Sequence, residues 1–115
     1  MLPHIKTGKL RGLATTGSIR TPLLPQLPTI AELGFPGFEA SAWYGLLAPA
    51  GTPAAIVSKL HQQTVRALND PEVKNKLEAS GFIIVGSTPA AFSAYIRAEI
   101  EKWTPVIISA GLEPE

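Results

Sequence analysis

Two threonines, a glycine and an arginine near the start of the chain carry the groups needed to hold a carboxylate. Thr15, Thr16 and Gly17 lie at the carboxyl end of a predicted strand, and Arg20 lies three residues further on. Ligands in open α/β sheets collect beyond the carboxyl ends of strands. There, hydroxyls donate hydrogen bonds and a planar guanidinium pairs with carboxylate oxygens. These residues form a candidate anion site, with a loop arginine that is only solvated as the alternative.

No group of residues in the sequence is typical of catalysis or of metal binding. The chain has no cysteine, which excludes disulfides, thiolate zinc sites and a cysteine nucleophile. His4 lies in a predicted frayed start, and His61 lies on a polar, exposed stretch of a predicted helix. Neither has the partners of a catalytic imidazole, and no glycine-rich phosphate loop occurs. We therefore expect a binding protein, not an enzyme, that needs no cofactor and no metal.

Composition and charge place few further limits on function. Hydrophobic residues make up 45% of the 115 residues and charged residues 17%, so a core is possible and the surface is expected to be partly apolar. The formal net charge of +1 gives no support for nucleic-acid binding. Residues 1–31 nevertheless hold four basic and no acidic side chains. This cationic quarter could face an anion, or it could simply be solvated.

Three stretches of the sequence predict β-strands, over residues 9–15, 38–48 and 82–85. The second is rich in aromatic and aliphatic residues, and the third is a continuous apolar run typical of a strand buried on both faces. Residues 16–28 hold three prolines and predict an irregular loop. Because the strands alternate with helices, the sequence indicates an α/β fold.

Helix starts are marked by capping residues. Thr29 and Glu32 form a capping box that predicts a short helix over residues 29–33. Three further starts place a capping side chain before a proline, at Thr52, Asp70 and Thr88. They predict helices over residues 53–69, 71–80 and 89–110. The last helix carries an apolar stripe that is expected to face a core, made of Phe92, Ile96, Ile100, Trp103 and Ile107.

Several segments, in this order and at these spacings, carry a resemblance to a known family. They are Gly8-Lys-Leu-Arg-Gly-Leu-Ala14, Leu27-Pro-Thr-Ile-Ala-Glu-Leu-Gly34, Trp43-Tyr-Gly-Leu-Leu-Ala-Pro-Ala-Gly-Thr-Pro53, Asn69-Asp-Pro-Glu-Val73 and Gly86-Ser-Thr-Pro89. Each motif alone is weak, but together they cover essentially the whole chain. The sequence resembles the Bug family, the solute-binding receptors of tripartite tricarboxylate transporters.

The resemblance implies a periplasmic-binding-protein-like fold, in which two α/β lobes close on a small carboxylate. Residues 1–40 would be the end of the second lobe and the crossing loop. Residues 41–115 would be the C-terminal part of the first lobe, beginning with a crossing strand over 41–48. Strands that open the first lobe and most of the second lobe are absent from the sequence. We therefore expect the chain to be the C-terminal portion of such a receptor.

Three more candidate site residues follow from the resemblance. Trp43 and Tyr44 would lie near the cleft, where an aromatic ring could stack on a planar ligand. Adjacent residues of a strand point to opposite faces, so at most one of them should face the ligand. Ser41 offers a hydroxyl to a carboxylate. Core packing of the aromatic rings and an ordinary surface hydroxyl are the alternatives.

The partners implied by the resemblance are a small carboxylate and the membrane components of a tripartite transporter, with no nucleic acid. The location implied is the periplasm, although the sequence begins without a signal peptide and holds no run of about 20 apolar residues. Open sheet edges would invite a homo-oligomer. The alternative function is therefore a truncated fragment that binds nothing and folds by self-association.

Overall fold

The computed structural model describes residues 2–112, which divide into two compact units with their boundary between Leu46 and Leu47. The first unit contains a short helix α1 and one turn of 3-10 helix, and the second contains three longer helices. Their bounds are Leu2–Lys6 for α1, Ala31–Leu33 for the 3-10 helix, Ala54–Leu68 for α2, Pro71–Ala79 for α3 and Pro89–Ser109 for α4.

Backbone hydrogen bonds between loops hold the centre of the first unit together. Thr15 and Thr29 form an isolated parallel bridge, in which Thr15 N donates to Pro28 O and Ile30 N donates to Thr15 O, both at 2.9 Å. Thr29 is 2% exposed. Within the described residues Leu24, 9% exposed, is the one buried hydrophobic residue, so this unit has a very small apolar core.

The first residues form α1, where the sequence predicts a frayed start. Thr7 closes the helix, because its backbone amide and its hydroxyl both donate to Pro3 O at 3.0 Å. His4 is exposed on this helix. The helix is too short to show the apolar periodicity on which the sequence prediction depends.

The capping box is confirmed in both directions. Glu32 N donates to Thr29 Oγ1 at 3.2 Å, and Thr29 N donates to Glu32 Oε2 at 2.9 Å. The helix that follows is a single 3-10 turn, shorter than predicted, and Gly34 ends it in the left-handed conformation with φ 109°. Glycine adopts this conformation without steric cost.

The three longer helices are confirmed, with both ends of each within one residue of the predicted bounds. Asp70 caps α3, since its carboxylate accepts from the amides of Glu72 at 2.9 Å and Val73 at 3.3 Å. Thr88 caps α4 by accepting from the amide of Ala91 at 3.2 Å. Both α3 and α4 begin with a proline at the first position, where a missing N–H costs nothing.

The predicted cap at Thr52 is wrong. Pro53 is the N-cap of α2 and makes no side-chain capping bond. Gly51, with φ 82°, closes a tight turn over residues 49–52. That turn directs the Thr52 hydroxyl back onto Pro49 O at 2.8 Å, so it is engaged before the helix begins.

Replacing Asp70 with alanine is expected to destabilise α3 by about 1 kcal/mol, because two helix amides lose their acceptor and the helix N-terminus loses a favourable negative charge. Urea denaturation followed by far-UV circular dichroism measures the loss. Thr52→Ala is the matched control and should cost less than half as much, since no helix amide loses a partner. Equal losses in the two variants would contradict this difference between the two helix starts.

None of the three predicted strands forms a ladder within residues 2–112. The stretches 9–14, 38–48 and 82–85 have no regular secondary structure, and the bridge at Thr15 is the sole β-pairing of the described chain. A strand exists through hydrogen bonds to a neighbouring strand, and here a neighbour is present for one residue only. The α/β prediction is therefore not confirmed, and the regular secondary structure of the described chain is almost entirely helical.

In the second unit α2 packs against both α3 and α4. Of the apolar stripe on α4, Phe92, Ile96 and Trp103 are half-buried, whereas Ile100 is 60% exposed. The stripe therefore covers a core along only part of its length. No helix within the described residues is long and apolar enough to cross a membrane.

Candidate ligand-binding site

The loop at 15–17 lies directly against the segment around Ser41. Ala40 N donates to Thr16 O at 2.9 Å. A Cβ placed on Gly17 would stand 3.8 Å from Ser41 Oγ and 3.2 Å from Ile19 O, so a side chain there would crowd the loop's own backbone. Four of the predicted site residues, from two separate segments, are thus brought together in the first unit.

Thr15 contributes the most unusual polar group of this cluster. Its hydroxyl oxygen is buried and has no hydrogen-bond partner in the structure of residues 2–112. A buried hydroxyl without a partner carries a desolvation penalty of about 1–3 kcal/mol. Such groups are rare in native proteins, and each calls for an explanation such as a bound ligand or water.

Arg20 is held by a carboxylate of its own chain. Its Nε donates to both carboxylate oxygens of Glu32, at 3.1 and 2.9 Å, and its Nη1 donates to Pro25 O at 3.3 Å. Both side chains are nearly half exposed, at 47% and 46%. The sequence identified Arg20 and Glu32 separately but missed their pairing, for which opposite charge was the only signal. Arg20 thus stabilises the loop between residues 20 and 32, and its hydrogen bonds go to Glu32 and Pro25, not to Thr15 or Ser41.

Glu32 links three parts of the first unit and has a perturbed pKa. The pKa of its carboxyl is lowered from the ordinary value, first by the hydrogen bond from the Thr29 amide and then by that from Arg20. A carboxyl whose pKa is lower in the folded state contributes stability that is present above its unfolded pKa. That contribution is lost as the pH falls through the folded pKa.

We therefore expect the loop between Arg20 and Glu32 to loosen on acidification, below the ordinary glutamate pKa of about 4.3. The amide resonance of Thr29 and the side-chain Nε resonance of Arg20 should shift together in an NMR titration. The variant Glu32→Gln keeps the shape of the side chain and should abolish the joint shift. A wild-type titration identical to that of the variant would contradict this role of the carboxylate.

The aromatic pair lies on an exposed part of the chain. Trp43 is 42% exposed and Tyr44 78%, so the structure buries neither ring, and every residue of 41–51 is exposed. Ser41 Oγ contacts Glu39 Oε1 at 3.5 Å. The sequence missed Glu39, whose carboxylate places a negative charge beside a hydroxyl expected to bind an anion.

A shallow groove of 410 Å³ lies in the second unit, lined by Thr52, Ala54, Val57, Ser58, His61 and Pro89. His61 is half-buried here, although the sequence predicts it to be exposed. Burial follows from the start of α4, since Pro89 lines the same groove. The described residues hold no cluster of histidine and carboxylate side chains able to bind a metal ion.

Sequence comparison identifies relatives over nearly the whole chain. Residues 1–112 match the family described as tripartite tricarboxylate transporter family receptor, TctC. Protein BugT of Bordetella pertussis (strain Tohama I) is 38% identical over 111 residues, covering 96% of this chain and 34% of BugT. A UPF0065 protein in the tcbD-tcbE intergenic region of Pseudomonas sp. (strain P51) is 36% identical, covering 95% of this chain and 33% of that protein. The chain spans about a third of the length of these relatives.

Solved structures give the same result. A structure described as R. palustris Rpa4515 with adipate matches with a TM-score of 0.77 and 37% identity, over 98% of this chain and 38% of that one. The periplasmic binding protein BugD matches with a TM-score of 0.79 and 33% identity, over 98% of this chain and 38% of BugD. The fold is therefore that of part of a periplasmic binding protein.

The match over residues 1–112 confirms the resemblance drawn from the sequence motifs. The relatives are solute-binding receptors, so the expectation of a protein that is not an enzyme is also confirmed. The chain belongs to the tripartite tricarboxylate transporter family of receptors, the Bug receptors.

Proposed function

We propose that this chain forms part of a periplasmic receptor that captures a small carboxylate and delivers it to the membrane components of a tripartite transporter. Family membership over residues 1–112 supports the receptor role. The adipate named for the R. palustris relative, which is 37% identical, supports a carboxylate ligand. Residues 1–40 would then belong to one lobe and residues 41–115 to the other, with 38–48 and 82–85 as strands.

The main support for the ligand site is the Thr15 hydroxyl, which has no hydrogen-bond partner within the described residues. It is buried, and Thr15 lies two residues before Gly17, where an added Cβ would lie 3.8 Å from Ser41 Oγ. A carboxylate oxygen accepting from this hydroxyl would satisfy it, and a hydrogen bond to a charged group contributes about 1.5–3 kcal/mol. We assign Thr15 as the donor and Thr16 and Gly17 as the loop that approaches the ligand. Ser41 would be a second donor, once its hydroxyl turns away from Glu39 Oε1.

Arg20 would balance the negative charge of the bound carboxylate. The Glu32 carboxylate holds the guanidinium through Nε, while about half of the side chain remains exposed to a ligand. A guanidinium held in place loses less rotamer freedom when it binds a second carboxylate. Either Trp43 or Tyr44 would cover the apolar part of the ligand.

Isothermal titration calorimetry with adipate tests the carboxylate proposal directly. We expect saturable binding of adipate and none of hexane-1,6-diol, which has the same carbon chain without charge. Arg20→Gln should weaken binding, whereas Arg11→Gln, in the same basic quarter of the chain, should not. Absence of heat from adipate and from a panel of other mono- and dicarboxylates would refute carboxylate binding by this chain.

The alternative function is a fragment that binds no ligand and folds by self-association. A specific observation favours it, namely that most large apolar side chains of the described residues are exposed and only Leu24 is buried. The two functions differ in the calorimetric result, since a fragment of this kind gives no heat with any carboxylate.

A further inference from the structure

The carboxylate of Glu32 accepts hydrogen bonds from two parts of the first unit at once. Arg20 Nε donates to both of its oxygens, at 3.1 and 2.9 Å, and the Thr29 amide donates to Oε2 at 2.9 Å. In return, the Glu32 amide donates to Thr29 Oγ1 at 3.2 Å. One side chain therefore fixes both the arginine proposed to balance the charge of the ligand and the segment around Thr29.

The segment around Thr29 in turn holds Thr15. The Thr15 amide donates to Pro28 O and the Ile30 amide donates to Thr15 O, both at 2.9 Å. Thr29 lies between these two contacts and is 2% exposed, and a packed environment of this kind transmits displacements to its neighbours. The position of the Thr15 hydroxyl, the proposed ligand donor, therefore depends on the contact between Glu32 and Thr29.

The contact with Glu32 leaves the outer edge of the Arg20 guanidinium available. Nε donates to Glu32 and Nη1 donates to Pro25 O at 3.3 Å, whereas for Nη2 no acceptor is present within the described residues. A guanidinium held on its Nε side can pair end-on with a second carboxylate through Nη1 and Nη2. Glu32 therefore restricts Arg20 to one orientation without using the donors that a ligand needs.

Glu32 also carries a negative charge, which would repel an anionic ligand. Both Glu32 and Arg20 are nearly half exposed, so water and salt screen this repulsion. The loss of positioning is the larger effect, because a released arginine regains rotamer freedom that ligand binding must then remove. Neutralising Glu32 should therefore weaken carboxylate binding.

We infer that Glu32 is a positioning residue of the carboxylate site, which touches no ligand and acts by two routes. One route is the contact with Arg20, and the other passes through Thr29 and the bridge to Thr15. The inference rests on the proposed function, since it takes Arg20 and Thr15 as the ligand contacts. The second route predicts that Glu32 still matters for binding when residue 20 is no longer an arginine.

Calorimetry with adipate on four chains tests this inference: the wild type, Glu32→Gln, Arg20→Gln and the double variant. Glutamine keeps the length of the side chain, but its amide nitrogen is a donor and cannot accept from either partner. We expect Glu32→Gln to raise the dissociation constant about tenfold in the wild type and about fourfold in the Arg20→Gln background. The number of sites per chain should not change, because positioning alters affinity whereas unfolding removes sites.

Glu72→Gln is the matched control. Glu72 pairs with Lys76 on the exposed face of α3, in the second unit, and its replacement should change the dissociation constant less than about twofold. Hydrogen exchange at the amides of Thr15 and Ile30 reports on the second route without any ligand. Exchange there should be faster in Glu32→Gln than in Arg20→Gln, because only the first variant disturbs the contact with Thr29.

The double variant decides between one route and two. An effect of Glu32→Gln that disappears in the Arg20→Gln background, or that is undiminished there, would leave a single route and overturn the inference. Tighter binding by Glu32→Gln, a loss of sites at unchanged affinity, or equal exchange in the two single variants would overturn it as well. Adipate binding by the wild type with an unaffected Glu32→Gln variant would refute the inference alone, whereas no binding by the wild type would refute the carboxylate proposal together with it.

Discussion

Replacing Thr15 with valine is expected to stabilise the free chain by about 1 kcal/mol and to weaken carboxylate binding by about tenfold or more. In the free chain the substitution removes a buried hydroxyl that has no partner, and valine has nearly the same shape. In the complex it removes the donor that we assign to the ligand. Stability and affinity should therefore change in opposite directions, which is an uncommon result for a single core substitution.

Thermal unfolding of the free chain and calorimetry with adipate measure the two effects. The neighbouring variant Thr16→Val is the control, because Thr16 is exposed and contributes its carbonyl oxygen to the bond from Ala40 N, not its hydroxyl. It should change neither property strongly. A loss of stability in Thr15→Val would show that the hydroxyl already has a partner in the free chain and would remove the main support for the site.

Leu24→Ala is expected to destabilise the first unit by about 2 kcal/mol, the lower end of the usual range for a buried leucine. Leu24 is the one buried hydrophobic residue of the described chain, so no neighbouring core can compensate. The lower end of the range applies because the loops around it can partly collapse into the space.

Hydrogen exchange at the amides of Thr15 and Ile30, which form the bridge, reports on this unit alone. An effect of 2 kcal/mol corresponds to roughly thirtyfold faster exchange. Leu13→Ala is the matched control, since Leu13 is 73% exposed, and should change exchange by less than about threefold. Similar effects of the two substitutions would show that Leu24 is not the centre of the unit.

The helices could be predicted from the sequence because the signals that start and stop a helix are local. A proline after Asp70 or Thr88 marks a helix start whatever surrounds it, and both caps are present in the structure. Thr52 shows the limit of this approach. Thr52 also precedes a proline, but the turn closed by Gly51 brings its hydroxyl onto Pro49 O. The pattern of a capping residue before a proline does not reveal this competing acceptor.

The strands could not be predicted in the same way because a strand depends on its neighbour. Residues 82–85 have the composition of a strand and the alternating exposure of one, yet they have no pairing within the described chain. For the site, the sequence placed Thr15, Thr16 and Gly17 correctly in one loop. It could not show that Arg20 is engaged by Glu32 or that Glu39 lies beside Ser41, since these contacts depend on how the loops fold over one another.

The exposed stretch between the two units determines how proteases would divide the protein. Residues 41–51 are all exposed and have little regular structure, and no lysine or arginine occurs between Arg20 and Lys59. Trypsin therefore has no cleavage site there. Chymotrypsin has accessible sites at Trp43 and Tyr44, close to the boundary between the units. A brief chymotryptic digestion would therefore cut near this boundary, with Phe82, 43% exposed in the irregular segment between α3 and α4, as the competing site inside the second unit.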